Sequence, residues 1–283
     1  MKAASSVAVA GRVFDVEVLN LPAPGKDQDA WRLADDFVAV ADGATPLGDQ
    51  PPSAVRGYAR AALDALEAQR TKAVRTMVWA AVEATRPLAT RNSPPLSCTV
   101  ALARTVGGAI EVVVLGDCTV VVAYEEGRRR TIRDPRLSRV DAGVIGKLAD
   151  LTRSGVSVEA ARLAIAGDLT SNRMRMNTPE TYWSFSGERI ASRHVLHRLL
   201  VPQSVAAMLL CSDGFSRLAD TFHATAGMTG LLDRCRNEGL VALGGELRNL
   251  ELAPDSLIRY PRFGRHDDAT AILLTASETP PAQ

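Results

Sequence analysis

The chain has 283 residues, with 33 basic and 32 acidic side chains, a net charge of +1, and 46% hydrophobic and 23% charged residues. This length and composition are typical of a globular protein with one large domain or two small ones. The charge balance argues against a protein dedicated to binding nucleic acid or a membrane surface, and no apolar run reaches transmembrane length. The four cysteines show no CxxC spacing, which predicts a reducing, cytoplasmic setting without structural zinc.

The N-terminal third predicts strands followed by a pair of helices. Residues 6–19 alternate as one or two strands would, and the run 37–41 is a strand buried on both faces. Ser53 is predicted to cap a first amphipathic helix. Thr71 is predicted to cap a second helix, which ends at Pro87. Two such helices in succession should pack on the face of a sheet.

The middle of the chain has the strongest β pattern. Apolar runs separated by Gly107-Gly108 and by Gly116-Asp117 predict a three-stranded antiparallel meander with strands at 97–106, 109–115 and 118–124. The segment 128–132 continues it as a hairpin, and the basic run Arg128-Arg129-Arg130 is interpreted as a solvated hairpin edge.

The C-terminal half mixes helices and strands. Residues 134–180 are predicted to be mainly helical, with Ser157 as a cap. The remaining elements predicted are a short strand at 182–185, a helix or a helix followed by a loop at 188–200, a buried strand at 205–211, short helices within 215–252, a last strand at 269–275 and a disordered tail at 277–283.

Two buried strands end on the same pair of residues, Asp42-Gly43 and Asp213-Gly214. One Asp-Gly pair is ordinary turn chemistry, but two copies that each close an apolar strand favour a site. Glycine lets the backbone turn sharply there, so both carboxylates are left at the rim of a sheet. Converging carboxylates usually hold a metal ion or share a proton.

Further acids border predicted strands, namely Asp29, Asp117, Asp267 and Asp268. Carboxylates forced together repel each other, and a hard divalent cation relieves that repulsion. Ligands that are all oxygen favour Mg²⁺ or Mn²⁺ over zinc. Two such ions about 4 Å apart can polarise a phosphoryl group.

Several of these residues have a second interpretation. Asp268 could replace Asp267 through a slip of one residue, Asp29 could be a solvated loop acid, and Asp117 is typical of a hairpin turn. The histidines are interpreted without a catalytic role: His194 and His197 as residues on a helix face, and His266 as a surface residue.

The ordered motifs resemble those of the metal-dependent protein phosphatases of the 2C (PPM) type, and of bacterial members in particular. The resemblance extends over about residues 7–275 and is carried by Asp27-Gln28-Asp29-Ala30, Val40-Ala41-Asp42-Gly43, Ser97-Cys98-Thr99, Gly116-Asp117-Cys118, Ser212-Asp213-Gly214 and Asp267-Asp268-Ala269-Thr270. It implies an α+β fold, a four-layer α-β-β-α sandwich of two antiparallel sheets flanked by helices. It also implies a single domain over 1–276, with 137–200 as a candidate flap or helical insert.

The resemblance also implies a site. Asp42 would bridge two Mn²⁺ or Mg²⁺ ions, with the Gly43 carbonyl as a further ligand. Asp213 and Asp267 would hold the first ion, and Asp29 would lie beside the second. Asp42, Asp213 and Asp267 would thus be the catalytic set, and a hydroxide between the ions would attack phosphoserine or phosphothreonine of a protein substrate.

The sequence departs from the family pattern at three places. Lys26 stands near the position where well-known members carry an arginine that binds the phosphate, so Lys26 is the predicted substrate-binding residue. Ala44-Thr45-Pro46 follows the first Asp-Gly in place of Met or His and then Gly-Gly, and Arg217 replaces an acid that helps a third metal. The alternative functions are therefore a binding or regulatory module of the same fold with weak or no activity, and a hydrolase of small phosphomonoesters.

Overall fold

Two antiparallel sheets form the centre of the computed structural model, which describes residues 5–45, 50–90 and 95–277. In chain order the strands are β1 (Ser5–Val9), β2 (Arg12–Leu21), β3 (Ala30–Ala34), β4 (Phe37–Gly43), β5 (Cys98–Val106), β6 (Ala109–Leu115), β7 (Thr119–Tyr124), β8 (Arg129–Ile132), β9 (Leu196–Leu200), β10 (Val205–Cys211) and β11 (Ala269–Ala276). The six-stranded sheet has the order β1-β2-β11-β10-β7-β8, and the five-stranded sheet has the order β3-β4-β5-β6-β9.

Helices connect and cover the sheets. They are α1 (Pro52–Ala68), α2 (Val74–Ala89), α3 (Arg136–Arg153), α4 (Val158–Met174), α5 (Asp213–Asp220), α6 (Gly227–Glu238), α7 (Leu240–Leu252) and α8 (Ser256–Arg259). Among the described residues, we find no helix with the length and apolar character needed to cross a bilayer.

The packing has four layers because the strands are apolar on both faces. In β4, Phe37, Ala39 and Ala41 pack with α1 and α2, whereas Val38 and Val40 pack with the other sheet. The six-stranded sheet behaves in the same way, and its outer face is covered by α5, α6 and α7. Successive side chains of a strand point to opposite faces, so one run of apolar residues fills two separate cores. The predicted α+β sandwich is confirmed.

The same alternation directs Asp42 inward. Asp42 is two residues beyond Val40 on β4, so its side chain leaves the strand on the face that meets the other sheet. Across the interface, Met208 and Leu210 of β10 line the same inner core. The two sheets therefore meet at the place where both Asp-Gly motifs occur.

The predicted three-stranded meander is wrong. β5 and β6 pair with each other in the five-stranded sheet, but β7 pairs with β10 and β8 in the six-stranded sheet. Gly116 and Asp117 carry the chain from one sheet to the other. A Gly-Asp pair between two apolar runs is typical of a hairpin, and these strands are apolar on both faces, so the pattern did not distinguish a hairpin from a crossing.

The prediction of a helix, or of a helix followed by a loop, over 188–200 is also wrong in its second half, which is a strand. A short 3-10 helix at Arg189–Arg193 leads into β9, which pairs with β6 at the edge of its sheet. His194 stacks on Trp183, with 3.5 Å between the ring centroids, and His197 lies on β9 with Nδ1 3.1 Å from Glu111 Oε1. Neither histidine lies on a helix face.

The predicted helix ends had mixed outcomes. Ser157 caps α4, because its side chain accepts a hydrogen bond from the Ala160 N–H at 3.2 Å. Ser53 lies inside α1, which begins with Pro52, and Thr71 precedes the true start of α2. Pro87 lies within the last turn of α2 and does not end it. Of the predicted disordered tail, only Ser277 is described, and its N–H donates to the Val13 carbonyl at 3.1 Å.

Candidate functional site

The two Asp-Gly motifs meet between the sheets. Asp42 ends β4 of the five-stranded sheet, and Asp213 begins α5 directly after β10 of the six-stranded sheet. The backbone N–H of Asp213 donates to Oδ2 of Asp42 at 3.3 Å. The predicted convergence of these two carboxylate-bearing strand ends is therefore present.

The glycines of these motifs allow close approach of two other segments. A Cβ on Gly43 would lie 2.4 Å from the Gln28 carbonyl oxygen, and one on Gly214 would lie 1.9 Å from the Asp268 carbonyl oxygen. Neither glycine has a positive φ. Their role is thus to admit the neighbouring backbone. Gly43 thus lets the segment that carries Asp29 approach Asp42, and Gly214 lets the segment that carries Asp267 and Asp268 approach Asp213.

Asp29 is the most unusual carboxylate of the site. The residue is 2% exposed, and neither carboxylate oxygen has a hydrogen-bond partner among the described residues. Burial raises the pKa of Asp29 well above its usual value, and the nearby Asp268 raises it further, whereas the neighbouring hydroxyl groups of Thr270 and Ser212 lower it only in part. The pKa of Asp42 is raised by burial and then by Asp29 and Asp213. These acids lie close together without enough compensating charge.

Asp117 also belongs to this group and is not a hairpin residue. Burial, followed by the charge of Asp213, raises the pKa of Asp117 to about 7. Asp141 of α3 joins it, with a pKa raised to about 7 by burial and then by Asp117. The sequence predicted no role for Asp141, because an acid on an amphipathic helix is typical of a solvent-facing position.

Asp267 has a different environment from the other acids. Its Oδ1 accepts a hydrogen bond from Lys26 Nζ at 3.1 Å, and its Oδ2 accepts one from Arg217 Nη2. Burial alone would raise the pKa of Asp267, but the charges of Arg217 and Lys26 outweigh burial and lower it. Lys26, the predicted phosphate-binding residue, is thus bound to an acid of the site.

Asp268 holds a loop. Its carboxylate accepts hydrogen bonds from the N–H groups of Ala23 at 2.6 Å and Gln28 at 2.7 Å, and from that of Asp27 at 3.2 Å. A carboxylate bound to several backbone donors has little capacity left for an ion. Of the two adjacent acids, Asp267 therefore faces the cluster, whereas Asp268 positions the segment that carries Lys26 and Asp29.

Arg173, on α4, lies near the site, and the sequence predicted no role for it. Its Nη1 donates to the Thr45 carbonyl at 3.5 Å, and its charge lowers the pKa of Asp141. Pro46, the last residue of the altered loop, lies outside the described residues. One arginine among the many on the helices gives no sequence signal, because only the fold brings α4 beside Thr45.

His266 is not a surface residue. Its side chain is 19% exposed, and Nδ1 lies 2.9 Å from Oε2 of the fully buried Glu251.

The basic run Arg128-Arg129-Arg130 at the β8 edge was predicted to be solvated. Arg129 pairs there with Asp233 at 3.0 Å, at the end of the six-stranded sheet.

Solved structures with a similar fold were found over almost the whole chain. The serine/threonine phosphatase PstP of Mycobacterium tuberculosis is 14% identical with a TM-score of 0.55, and the match covers 94% of this chain and 99% of that one. The catalytic domain of PstP in complex with two manganese ions matches with a TM-score of 0.54 at 14% identity, covering 94% and 99%. Serine/threonine phosphatase Stp1 of Staphylococcus aureus has a TM-score of 0.56 at 13% identity, covering 96% and 98%.

The chain has the fold of the bacterial serine/threonine phosphatases. No protein-family model matches the sequence, and no curated protein matches it.

A metal ion is implied by this phosphatase fold, and the residues fit it on one side of the cluster only. Among residues 5–45, 50–90 and 95–277, no three His, Cys, Asp or Glu side chains are grouped closely enough to hold an ion as they stand. The unpartnered, buried oxygens of Asp29 beside Asp42 are nevertheless suited to a hard cation. Asp267 does not fit, because both its oxygens already bind protein cations.

Proposed function

We propose that this chain is a member of the PPM phosphatases that hydrolyses phosphoserine or phosphothreonine in proteins with Mn²⁺ or Mg²⁺. The observation that carries the proposal is the meeting of Asp42 and Asp213 from different sheets, with the unpartnered carboxylate of Asp29 beside them. Buried acids without partners are costly unless a cation or a proton compensates them. The fold shared with PstP and Stp1 supports a phosphatase, and the manganese ions of the PstP domain support the choice of metal.

In this proposal Asp29, Asp42 and Asp213 hold the ion, with the Gly43 carbonyl beside them. A bound divalent ion would supply Lewis-acid polarisation of the phosphoryl group and a lower pKa for water. The protein's own contribution is to hold these carboxylates together against their repulsion. It does so through the Asp213 N–H on Asp42 and through the close approach at Gly43.

Protein cations near the cluster would bind the phosphate. Lys26 lies 3.1 Å from Asp267, so Asp267 holds the ammonium in place as a point charge. Arg173 offers a guanidinium from α4, next to Thr45. Its planar fork is suited to two phosphate oxygens at once. We assign Arg173 the role that an arginine near Lys26 has in the family pattern.

The proposed substrate is a phosphorylated protein, as the names of the matched phosphatases suggest. A cytoplasmic location is part of the same proposal and is supported by four buried cysteines with free thiols.

The test is hydrolysis of para-nitrophenyl phosphate and of a phosphothreonine peptide, with Mn²⁺ or with EDTA. We expect turnover that requires Mn²⁺ and that falls at least 100-fold in Asp213→Asn. Asp220→Asn is the matched control, because Asp220 lies on the same helix and is exposed. Equal turnover by the wild type and Asp213→Asn would contradict the proposal. Turnover of small esters with none of the phosphopeptide would indicate the small-phosphomonoester alternative.

A second candidate function is a module that binds a phosphorylated segment without hydrolysing it. The observation that favours it is that both oxygens of Asp267 are occupied by Lys26 and Arg217. Fluorescence polarisation with a labelled phosphopeptide separates the two functions. Binding without release of phosphate, in the presence of Mn²⁺, would support the module, whereas release of phosphate would exclude it.

A further inference from the structure

Arg217 is a cation placed inside an acidic site. Its side chain lies on α5, one turn after Asp213, and the residue is 8% exposed. Its Nη2 donates to Asp267 Oδ2, and the negative charges that act on it most strongly are those of Asp267, Asp213, Glu251 and Asp42. A guanidinium among four carboxylates, with little access to water, is part of the charge balance of the site.

Arg217 is also bound by residues outside the aspartate cluster. Its Nη1 lies 3.4 Å from Oε1 of Glu251, which is fully buried. Glu251 is bound in turn by Arg248 Nη1 at 2.5 Å and by His266 Nδ1 at 2.9 Å. Moving Arg217 away would leave Asp267 and Glu251 short of a partner, and breaking a buried ion pair is strongly destabilising. Arg217 is therefore a fixed cation.

Lys26 completes the neutralisation of Asp267. Its ammonium binds Oδ1 while Arg217 binds Oδ2, so both oxygens have a cationic partner. Together the two side chains carry two positive charges, the charge of one divalent ion. A metal ion brought to Asp267 would have to displace both of them or lie beside them against their repulsion.

On the opposite side of the cluster, no cation among residues 5–45, 50–90 and 95–277 is paired with a carboxylate. Within those residues, both oxygens of the buried Asp29 lack a hydrogen-bond partner, and Asp42 receives the Asp213 N–H at 3.3 Å. The two sides of the site thus differ in charge. The Asp267 side is neutralised by the protein, and the Asp29–Asp42 side retains excess negative charge.

We propose that Arg217 and Lys26 take the place of one metal ion and that this chain binds a single divalent ion, on the Asp29–Asp42 side. The inference rests on the proposed function, which requires a metal, and it departs from the two ions that the family resemblance implies. The physical reason is that a salt-bridged guanidinium and ammonium already satisfy Asp267.

The experiment is to count Mn²⁺ ions per chain in metal-depleted protein, by isothermal titration calorimetry and by electron paramagnetic resonance of free Mn²⁺. We expect one Mn²⁺ per wild-type chain. Arg217→Met should acquire a second, weaker ion, because Asp267 then has a free oxygen. Arg234→Met is the control, since Arg234 pairs with Glu238 and Glu246 on α6 and α7, and it should still bind one ion.

Two ions in the wild type would overturn this inference and leave the proposed phosphatase standing. No ion in folded wild type would overturn both. Circular dichroism establishes whether Arg217→Met is folded. If it is not, the count is repeated with Asp29→Asn: loss of the single ion agrees with the inference, whereas an ion that still binds overturns it.

Discussion

The N–H of Asp213 lies 3.3 Å from Oδ2 of Asp42, and the two residues belong to different sheets. The two residues are 171 positions apart in the sequence. The pairing therefore depends on the packing of one sheet on the other through their inner apolar faces. The site is a product of the sandwich, and a change that shifts one sheet relative to the other should separate the two acids.

Asp42→Asn should affect stability in opposite directions with and without metal. The amide keeps an oxygen for the Asp213 N–H but removes a charge from a crowded, buried cluster. We expect the free energy of unfolding of the metal-free protein to rise by about 1–3 kcal/mol at pH 8. The stabilisation by saturating Mn²⁺, about 2.7 kcal/mol at 100 times Kd, should disappear. Urea unfolding with EDTA or Mn²⁺ measures both effects. An unchanged Mn²⁺ effect in the variant would remove Asp42 from the site.

Gly43→Ala should disrupt the site through the backbone. The added Cβ would lie 2.4 Å from the Gln28 carbonyl oxygen and 2.7 Å from Val55 Cγ1, neither of which is the end of a flexible side chain. We expect a loss of about 2–4 kcal/mol in the free energy of unfolding. Gly57→Ala is the matched control, because Gly57 is exposed on α1 with open space around it, and it should gain about 0.5–1 kcal/mol. Equal stabilities for the two variants would show that the approach of Gln28 does not require glycine.

The metal-free protein should lose stability as the pH rises from about 4 to about 7. The folded pKa of Asp141 is about 7, and the unfolded value is about 3.9. Between these values the folded state binds a proton that the unfolded state does not bind, so stability falls with rising pH. Asp117, also with a folded pKa of about 7, acts in the same direction. Above pH 7 the penalty is complete, and Mn²⁺ should reverse the trend because it binds deprotonated carboxylates.

The specific measurement is the difference between the wild type and Asp141→Asn at two pH values. With EDTA, the variant should be more stable than the wild type at pH 8 by about 1–3 kcal/mol. At pH 4 the two proteins should have similar stability, since the wild-type carboxyl is then protonated in the folded state. The same difference at both pH values would mean that the Asp141 carboxyl does not titrate in this window.

Arg173→Met should weaken substrate binding with little effect on the chemical step. One charge-assisted contact to phosphate is worth about 1.5 kcal/mol, roughly tenfold in KM. We expect this rise for the phosphothreonine peptide, with kcat within about twofold. Arg175→Met is the control, since Arg175 is an exposed cation two residues away. The hydrogen bonds that Thr178 and Thr181 donate to Arg175 go to its backbone carbonyl, so the substitution leaves them intact. Equal KM values for the two variants would exclude a specific role for Arg173.

The sequence was most informative where the burial pattern is simple. The runs at 37–41 and 205–211 are strands because they are apolar on both faces, and their terminal acids meet as predicted. The sequence could not show which sheet each strand joins. The strands predicted at 109–115 and 118–124 were expected to pair as a hairpin, yet the chain crosses between the sheets there.

The sequence also could not predict the contacts that the charged residues of the site make. Arg217 was noted as a departure from the family pattern, but its contact with Asp267 depends on how α5 lies against the segment before β11. Asp141 and Arg173 lie on α3 and α4, where charged residues are common. Only the fold, which places α4 beside Thr45 and Asp141 near Asp117, distinguishes these two residues from their solvated neighbours.

The most direct test of the site is an anomalous difference map from crystals grown with Mn²⁺. We predict a manganese peak at the carboxylates of Asp29 and Asp42, with the Arg217 guanidinium still bound to Asp267. A map without a peak at Asp42, or with manganese at Asp267 and Arg217 displaced from it, would contradict the charge arrangement described for this site.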